Sequence, residues 1–415
     1  AEPGQRIVLV TLDTLRADGL DRTLMPRGAA FADRGQRFER AYAAAATTQP
    51  THATLFTGLH PWEHGLTRNG HVLAAGFDTL AERLRSAGFQ TAAVVASFPL
   101  ERRFGFAQGF DSYEQEFRHP LVIEHWHGEI VDDQRFYGLA GAVVARALAR
   151  LDALTGSRQF LWVHFFDPHE PYGDAAPGGA LHLSQIRVRA GQGTLDAPLL
   201  GLARARYDAD LARLDAALGR LFDRLERDAA SFETHVILTS DHGESFGEDG
   251  SFAHGFRVSP EQVHVPLVIV SPRLEPAVRR DVVGSRDVGR TLLGLSGAEA
   301  SGFPGRDLVA GAADPKAEAF GMSGRFGEGP ELRVDGSRVA AGTPRFFAAR
   351  DDGLWTGDAA HVTRNDRPGQ PVPAAAAETL QRLFAGFEAE RRTSEAQALE
   401  DETTREALRA LGYAD

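Results

Sequence analysis

Two stretches of this chain carry residue types suited to chemistry on anions. "TTQPTHATLFTG" (47–58) sets hydroxyls at Thr47 and Thr48 just before a helix and an imidazole at His52 within it. Pro50 suits the first turn and Gly58 the end. Capping is the ordinary use of such a threonine. "SDHGESFGEDG" (240–250) joins Asp241 to His242 in a glycine-rich loop able to fold closely around a bound group. Asp13 follows the apolar run "IVLVTL" and Asp167 follows "FLWVHFF", so three such runs end in an aspartate. One aspartate there is usually a helix cap, but three delivered to one edge repel strongly unless a cation holds them. His169 lies two residues past Asp167, and "FAHGF" adds His254. Mixed aspartate and histidine ligation suits zinc or manganese better than calcium. His164, inside a strand, reads as a buried structural histidine.

The elements that must position these residues are legible as patterns. "IVLVTL" (7–12), "TAAVVAS" (91–97), "FLWVHFF" (160–166), "HVILTS" (235–240) and "VPLVIVSP" (265–272) read as buried strands of the parallel kind. Tyr207, Leu211, Leu214, Leu218, Leu221 and Leu225 form one apolar stripe on a helix, and "TLAERLRSAGF" (79–89) is a second helix closed by Gly88. Strands alternating with helices predict an α/β fold, a large and mostly parallel sheet sandwiched between helices, with ligands bound beyond the strands' carboxyl ends. Past about residue 320 the chain turns rich in glycine and charge, with short β-like pieces such as "RFFAAR" and a helix carrying Leu380, Leu383, Phe384 and Phe387. The expected division is a catalytic domain over 1–320 and a small C-terminal α+β subdomain over 321–415, ending in a short "TTREALRALGY" tail.

Composition removes several alternatives. The net charge of -12, with no basic cluster, argues against nucleic acid as a main partner. No apolar run reaches the roughly 18 residues needed to span a bilayer. The absence of cysteine excludes disulfides, thiolate metal sites and cysteine nucleophiles together. The opening "AEPGQR", which lacks a methionine, is open to two readings, a mature end after signal cleavage or an artificial boundary; the expectation is export to the periplasm or beyond, with the cytoplasm as the alternative.

The motifs in order, "VTLDTLRAD", "TTQPTHATLFTGLHPWEHG", "LAERLRSAGFQTAAVVAS", "HFFDPHEPY", "YDADLARLDAALGRL", "TSDHGESFGEDG", "HVPLVIVSP" and "PGRDL", resemble the alkaline phosphatase superfamily in its sulfatase-like branch, over nearly the whole chain. The resemblance implies that Thr48 stands at the nucleophile position and that Asp13, Thr48, Asp241 and His242 hold a divalent metal, zinc before manganese or calcium. It implies that Asn69 contacts phosphoryl oxygens. It also implies that His169 and His254 contact the transferred group, the leaving group or a second metal, for which Asp167, His169 and His254 would be the ligands.

The departures from that pattern matter as much. Sulfatases carry Cys or Ser at the nucleophile position, followed by Pro-x-Arg, and oxidise that residue to formylglycine. Here Thr48 and His52 occupy those places, and Thr14 replaces the second of two adjacent aspartates. Thr48 with His52 is similar to threonine-using phosphodiesterases and phosphoethanolamine transferases. The expected activity is hydrolysis of an anionic phosphate ester, a phosphodiester above all, through a phospho-threonine. Sulfate-ester hydrolysis by unmodified threonine, transfer to another alcohol, and ligand binding without turnover are the competing readings. Specificity is expected in the 174–198 loop, the 103–120 region and the C-terminal subdomain.

Overall fold

Each apolar run folds as a strand because its β-branched and aromatic side chains find cover on both faces. The computed structural model describes residues 3–120, 135–173, 180, 181, 186, 195–311, 314, 316–324, 330–335, 338–340, 344–357, 362–364 and 372–391. Its main sheet has eight strands: β1 (Gly4–Leu12), β2 (Gln36–Tyr42), β3 (Gln90–Val95), β4 (Ser112–Gln115), β5 (Arg158–Phe165), β6 (Phe232–Ser240), β7 (His264–Val270) and β8 (Ala277–Gly284). Their spatial order is β8-β2-β7-β6-β1-β5-β3-β4. All neighbours are parallel except at β7, which runs antiparallel to both β2 and β6.

That exception corrects the parallel reading of "VPLVIVSP". The chain leaves β6, forms the Asp241–His254 loop and re-enters the sheet after one short turn of helix at Pro260–Val263. Burial on both faces makes the two orientations look alike in sequence. Strands β2, β4 and β8 escaped the apolar-run reading, since "QRFERAY" and "AVRRDVVG" carry charged residues at half-buried or exposed positions.

Helices pack in two groups. Pro26–Ala32 and Ala140–Ala153 lie against the long Ala197–Arg227 helix, which buries the predicted stripe from Tyr207 to Leu225. Thr48–Thr57 and Leu80–Ser86 lie against Arg286–Ser296. The Leu80–Ser86 helix opens with a capping box of Thr79 and Glu82.

A second, antiparallel sheet of Ala319–Met322, Phe346–Arg350, Gly353–Gly357 and Val362–Arg364 follows, with the helix Ala374–Arg391 packed on it through Leu380 and Phe387. This subdomain is stitched to the main one. Met322 N donates to Ala44 O at 3.0 Å, Ala46 N donates to Met322 O at 3.2 Å, and Gly324 N donates to Gly255 O at 3.0 Å. A Cβ at Gly324 would lie 1.9 Å from Thr47 Oγ1, so only glycine allows this approach to the loop before Thr48. The terminal "TTREALRALGY" and most of the 174–198 loop lie outside the described residues.

Buried histidines make the fold acid-sensitive. His64 accepts from Leu66 N at 3.1 Å, and burial, then His60, lower its pKa from 6.5 to about 3. His235 sits 2.9 Å from Ser271 Oγ, and burial, then Arg273, lower it to about 4. Both folded values lie below the unfolded one, so the unfolded chain takes up these protons first. Their contribution is complete above about pH 6.5 and is lost as pH falls towards 3–4. The urea midpoint should therefore hold near pH 7–8 and decline steadily from about pH 6.5 to 4; a midpoint unchanged over that range would refute this account.

Candidate active site

Register alone sets two carboxylates side by side. In the parallel pair β1/β6, Leu12 is opposite Ser240. Asp13 and Asp241 are the next residues out, about one strand spacing apart, roughly 4.8 Å. Both are fully buried. Asp241 Oδ1 accepts from His242 N at 2.8 Å and Thr14 N at 3.3 Å, leaving Oδ2 facing inward. Thr14 holds a left-handed φ of 55°, a strained state for a β-branched residue. Tyr207 keeps it there, its hydroxyl donating to Thr14 O at 2.9 Å and accepting from Arg16 N at 3.1 Å.

His242 completes the set. Its Nδ1 lies 3.0 Å from Gly243 O. A carbonyl only accepts, so Nδ1 carries the proton and Nε2 presents a lone pair in the neutral ring. Nε2 is 3.5 Å from Asp13 Oδ1 and 3.7 Å from Asp241 Oδ2, spacings that suit ligands on one small cation. Burial, and next Asp241, push Asp13 well above the usual carboxylate range. Burial pulls His242 towards its neutral form, but Asp241 and Asp13 outweigh it and its pKa rises. Both Asp13 oxygens, Asp241 Oδ2 and His242 Nε2 are buried with no hydrogen-bond partner. Buried acceptors of this kind call for positive charge, and the donor set fits a divalent cation.

Thr48 turns out to be the first residue of the Thr48–Thr57 helix and Thr47 its N-cap, yet neither hydroxyl caps. That decides against the capping reading. All ten residues of this helix are buried, although most are polar. Thr51 Oγ1 donates to Ala45 O at 2.9 Å, Thr57 Oγ1 donates to Ala53 O at 2.7 Å, and Gln49 Nε2 donates to Pro99 O at 2.7 Å. The hydroxyl of Thr48 has no such partner. It stands at a helix N-terminus, where exposed amides and the dipole favour an anion. Gln49 also clips the Asn69 loop, donating its backbone N–H to Asn69 Oδ1 at 2.8 Å and accepting from Gly70 N at 2.7 Å. Asn69 Nδ2 is left buried and without a partner.

The structure places His52 differently from a group that touches substrate. Its Nδ1 donates to Thr48 O at 2.8 Å, and its Nε2 is 3.1 Å from Thr11 Oγ1, which accepts from Trp162 Nε1 at 2.9 Å. Burial holds its pKa at about 3, so it is neutral, and its two nitrogens tie the helix to strand β1.

Asp167 is likewise occupied elsewhere. Its Oδ2 accepts from Ala140 N at 2.8 Å, at the start of the Ala140–Ala153 helix, and its Oδ1 is 3.5 Å from Arg213. Among the described residues, the His and Asp groups close enough to share a metal are Asp13, Asp241 and His242, and His52, His164 and Asp241; Asp167, His169 and His254 are in neither.

His169 and His254 do reach the pocket. The His254 ring lies 4.3 Å from that of His242 and 5.1 Å from that of His169. His169 Nδ1 donates to Glu170 O at 2.7 Å, and His254 Nδ1 donates to Glu244 Oε1 at 3.0 Å. Glu244, fully buried and also bonded by Tyr172 at 2.8 Å, was missed from sequence, as were Gln49 and Tyr207. Glu244 stands two residues past His242, which was the available signal. Gln49 and Tyr207 offered none.

Comparison with known proteins identifies the family and the fold. The profile described as Sulfatase matches residues 5–298. The chain belongs to the Sulfatase family. That family lies within the alkaline phosphatase superfamily of ester-cleaving, divalent-metal enzymes. The chain is 25% identical over 347 residues to the choline-sulfatase of Rhizobium meliloti (strain 1021), covering 70% of this chain and 67% of that one. Over 66 residues it is 35% identical to the phosphoethanolamine transferase EptA of Salmonella typhimurium, covering 15% of this chain and 12% of that one. Its fold matches that of the phosphonate monoester hydrolase SpPMH from Silicibacter pomeroyi with a TM-score of 0.69 at 18% identity, covering 95% and 97% of the two chains. Among the described residues, no helix is long and apolar enough to cross a membrane.

The placement of Asp167 has a measurable consequence. Asp167→Ala should cost about 1–3 kcal/mol of stability by exposing a buried helix terminus, with the content of bound divalent metal per chain unchanged. Loss of bound metal in that variant, measured by plasma mass spectrometry, would instead make Asp167 a ligand.

Proposed function

We propose that this chain is a metal-dependent hydrolase of phosphate esters, phosphodiesters foremost, working through a phospho-threonine at Thr48. The observation that carries this reading is that the hydroxyls of Thr47 and Thr48 are left without partners at the start of an otherwise satisfied, fully buried polar helix, whose His52 bonds the Thr48 carbonyl and lies 3.7 Å from Asp241 of the Asp13–Asp241–His242 cluster. Asp13, Asp241 and His242 would hold a divalent cation, zinc by the chemistry of the donors, which when bound would supply positive charge to favour the ionised hydroxyl and offset the phosphoryl oxygens. Thr48 attacks phosphorus as the bond from phosphorus to one ester oxygen breaks, the alcohol leaves with a proton and Thr48 is esterified. Water then attacks phosphorus and breaks the bond to Thr48, releasing the phosphate product. Asn69 Nδ2 donates to a non-bridging oxygen, and the amides of the first helical turn face the developing charge. In this reading His254, bonded to Glu244, exchanges a proton with the leaving group or the attacking water.

Threonine favours phosphate over sulfate for a chemical reason. Its oxygen has no second hydroxyl on the same carbon, so the ester cannot expel the transferred group by forming an aldehyde. Water or an alcohol must attack the transferred group itself. Formylglycine hydrate avoids that second displacement, and Thr48 cannot become formylglycine. The relationship to a choline-sulfatase keeps sulfate-ester hydrolysis as the second reading.

The test compares kcat/KM for p-nitrophenyl phosphate, bis(p-nitrophenyl) phosphate and p-nitrophenyl sulfate in wild type, in Thr48→Ala and after chelation. The diester should turn over fastest, and either treatment should lower it by at least about 10³-fold. Fastest turnover of the sulfate, dependent on Thr48, would overturn the phosphate assignment; activity untouched by Thr48→Ala would overturn the nucleophile.

A further inference from the structure

His164 separates from the other histidines of the pocket by its tautomer. It lies on β5, opposite Thr11 of β1, and is fully buried. Its Nδ1 accepts from Ala96 N at 3.3 Å. A backbone N–H only donates, so Nδ1 has the lone pair and the proton of the neutral ring is on Nε2. His242 and His169 carry theirs on Nδ1, each donated to a backbone carbonyl. They present Nε2 as an acceptor, whereas His164 presents a donor. That makes His164 Nε2 unsuited to bind a cation in this orientation, although it lies in the group with Asp241 and His52.

The nearest carboxylate oxygen to it is Asp13 Oδ2, at 3.6 Å, just beyond hydrogen-bond length. Both atoms are buried and without partners. One can only donate and the other can only accept once ionised. Asp13 Oδ1 is the oxygen that faces His242 Nε2. The carboxylate thus stands between an acceptor imidazole on one oxygen and a donor imidazole on the other.

We infer that His164 is a positioning residue for the metal centre, its Nε2–H closing on Asp13 Oδ2 so that Asp13 offers Oδ1 alone to the cation. The inference rests on the reading of Asp13 as a ligand. The closing movement from 3.6 Å to hydrogen-bond length is about 0.4–0.9 Å. With Oδ2 held, Asp13 is fixed in rotation and need not be ordered when the cation binds. Outer partners of this kind are typically worth about 10–100-fold in metal affinity.

Two substitutions divide the two nitrogens of the ring. In His164→Asn the side-chain oxygen can replace Nδ1 and keep the bond to Ala96 N, but the side chain is too short to reach Asp13. In His164→Gln the terminal amide can replace the Nε2–H towards Asp13, while the bond to Ala96 is lost. Zinc dissociation constants are measured by competition with a chromogenic chelator on the full chain, beside wild type and Asp13→Asn, with melting temperatures of the zinc-free proteins as a fold control. The expected result is zinc binding weakened about 10–100-fold in His164→Asn and within a few-fold of wild type in His164→Gln. If Gln weakens zinc as much as Asn or more, the role of His164 is structural and the inference fails. If Asp13→Asn weakens zinc and neither His164 variant does, the inference alone fails. If Asp13→Asn leaves zinc binding unchanged, the metal assignment fails and takes the inference with it.

Discussion

Two buried aspartates held next to each other are the constraint around which this protein is arranged. The register of β1 on β6 leaves Asp13 and Asp241 no room to separate, and the surrounding core leaves them no water. Like charges in such a place are unfavourable unless something positive stands between them. The loop after β6 supplies His242 at once and then folds back to deliver His254. Thr14 accepts a strained backbone so that its N–H can bind Asp241 Oδ1 and turn Oδ2 inward. Tyr207 reaches over from the long helix to hold that turn.

The Thr48–Thr57 helix answers the same constraint from the other side. A helix so polar would ordinarily lie at the surface, with its hydroxyls in water. Here it is buried, and bonds from Gln49, Thr51, His52 and Thr57 satisfy its side chains within the protein. His52, standing where sulfatases have an arginine, ties the Thr48 carbonyl to the Thr11–Trp162 pair beneath it. The geometry at Thr48 is therefore built by residues that never face the pocket. The second sheet adds to this, since Met322 and Gly324 brace the loop before Thr48 and the loop after His254.

The sequence by itself determined the class of fold and pointed to Asp13, Asp241 and His242, which the structure brings together. Apolar runs ending in aspartate, glycine-rich loops and the heptad-like stripe of the long helix are local patterns, and the structure keeps them. The pairing of Asp241 with His242 is adjacency in the chain, so it could be read directly. Only the tertiary structure decided which residues of the right type belong to the site. Asp167 matches Asp13 in sequence context, but a helix start lies within its reach and takes it. His164 and His242 are equally buried imidazoles, and a backbone N–H against one and a carbonyl against the other make them donor and acceptor. The antiparallel β7 shows the same limit at the level of the fold. A residue type states what a group can do, whereas its hydrogen-bond partners, distant in the chain, settle what it does.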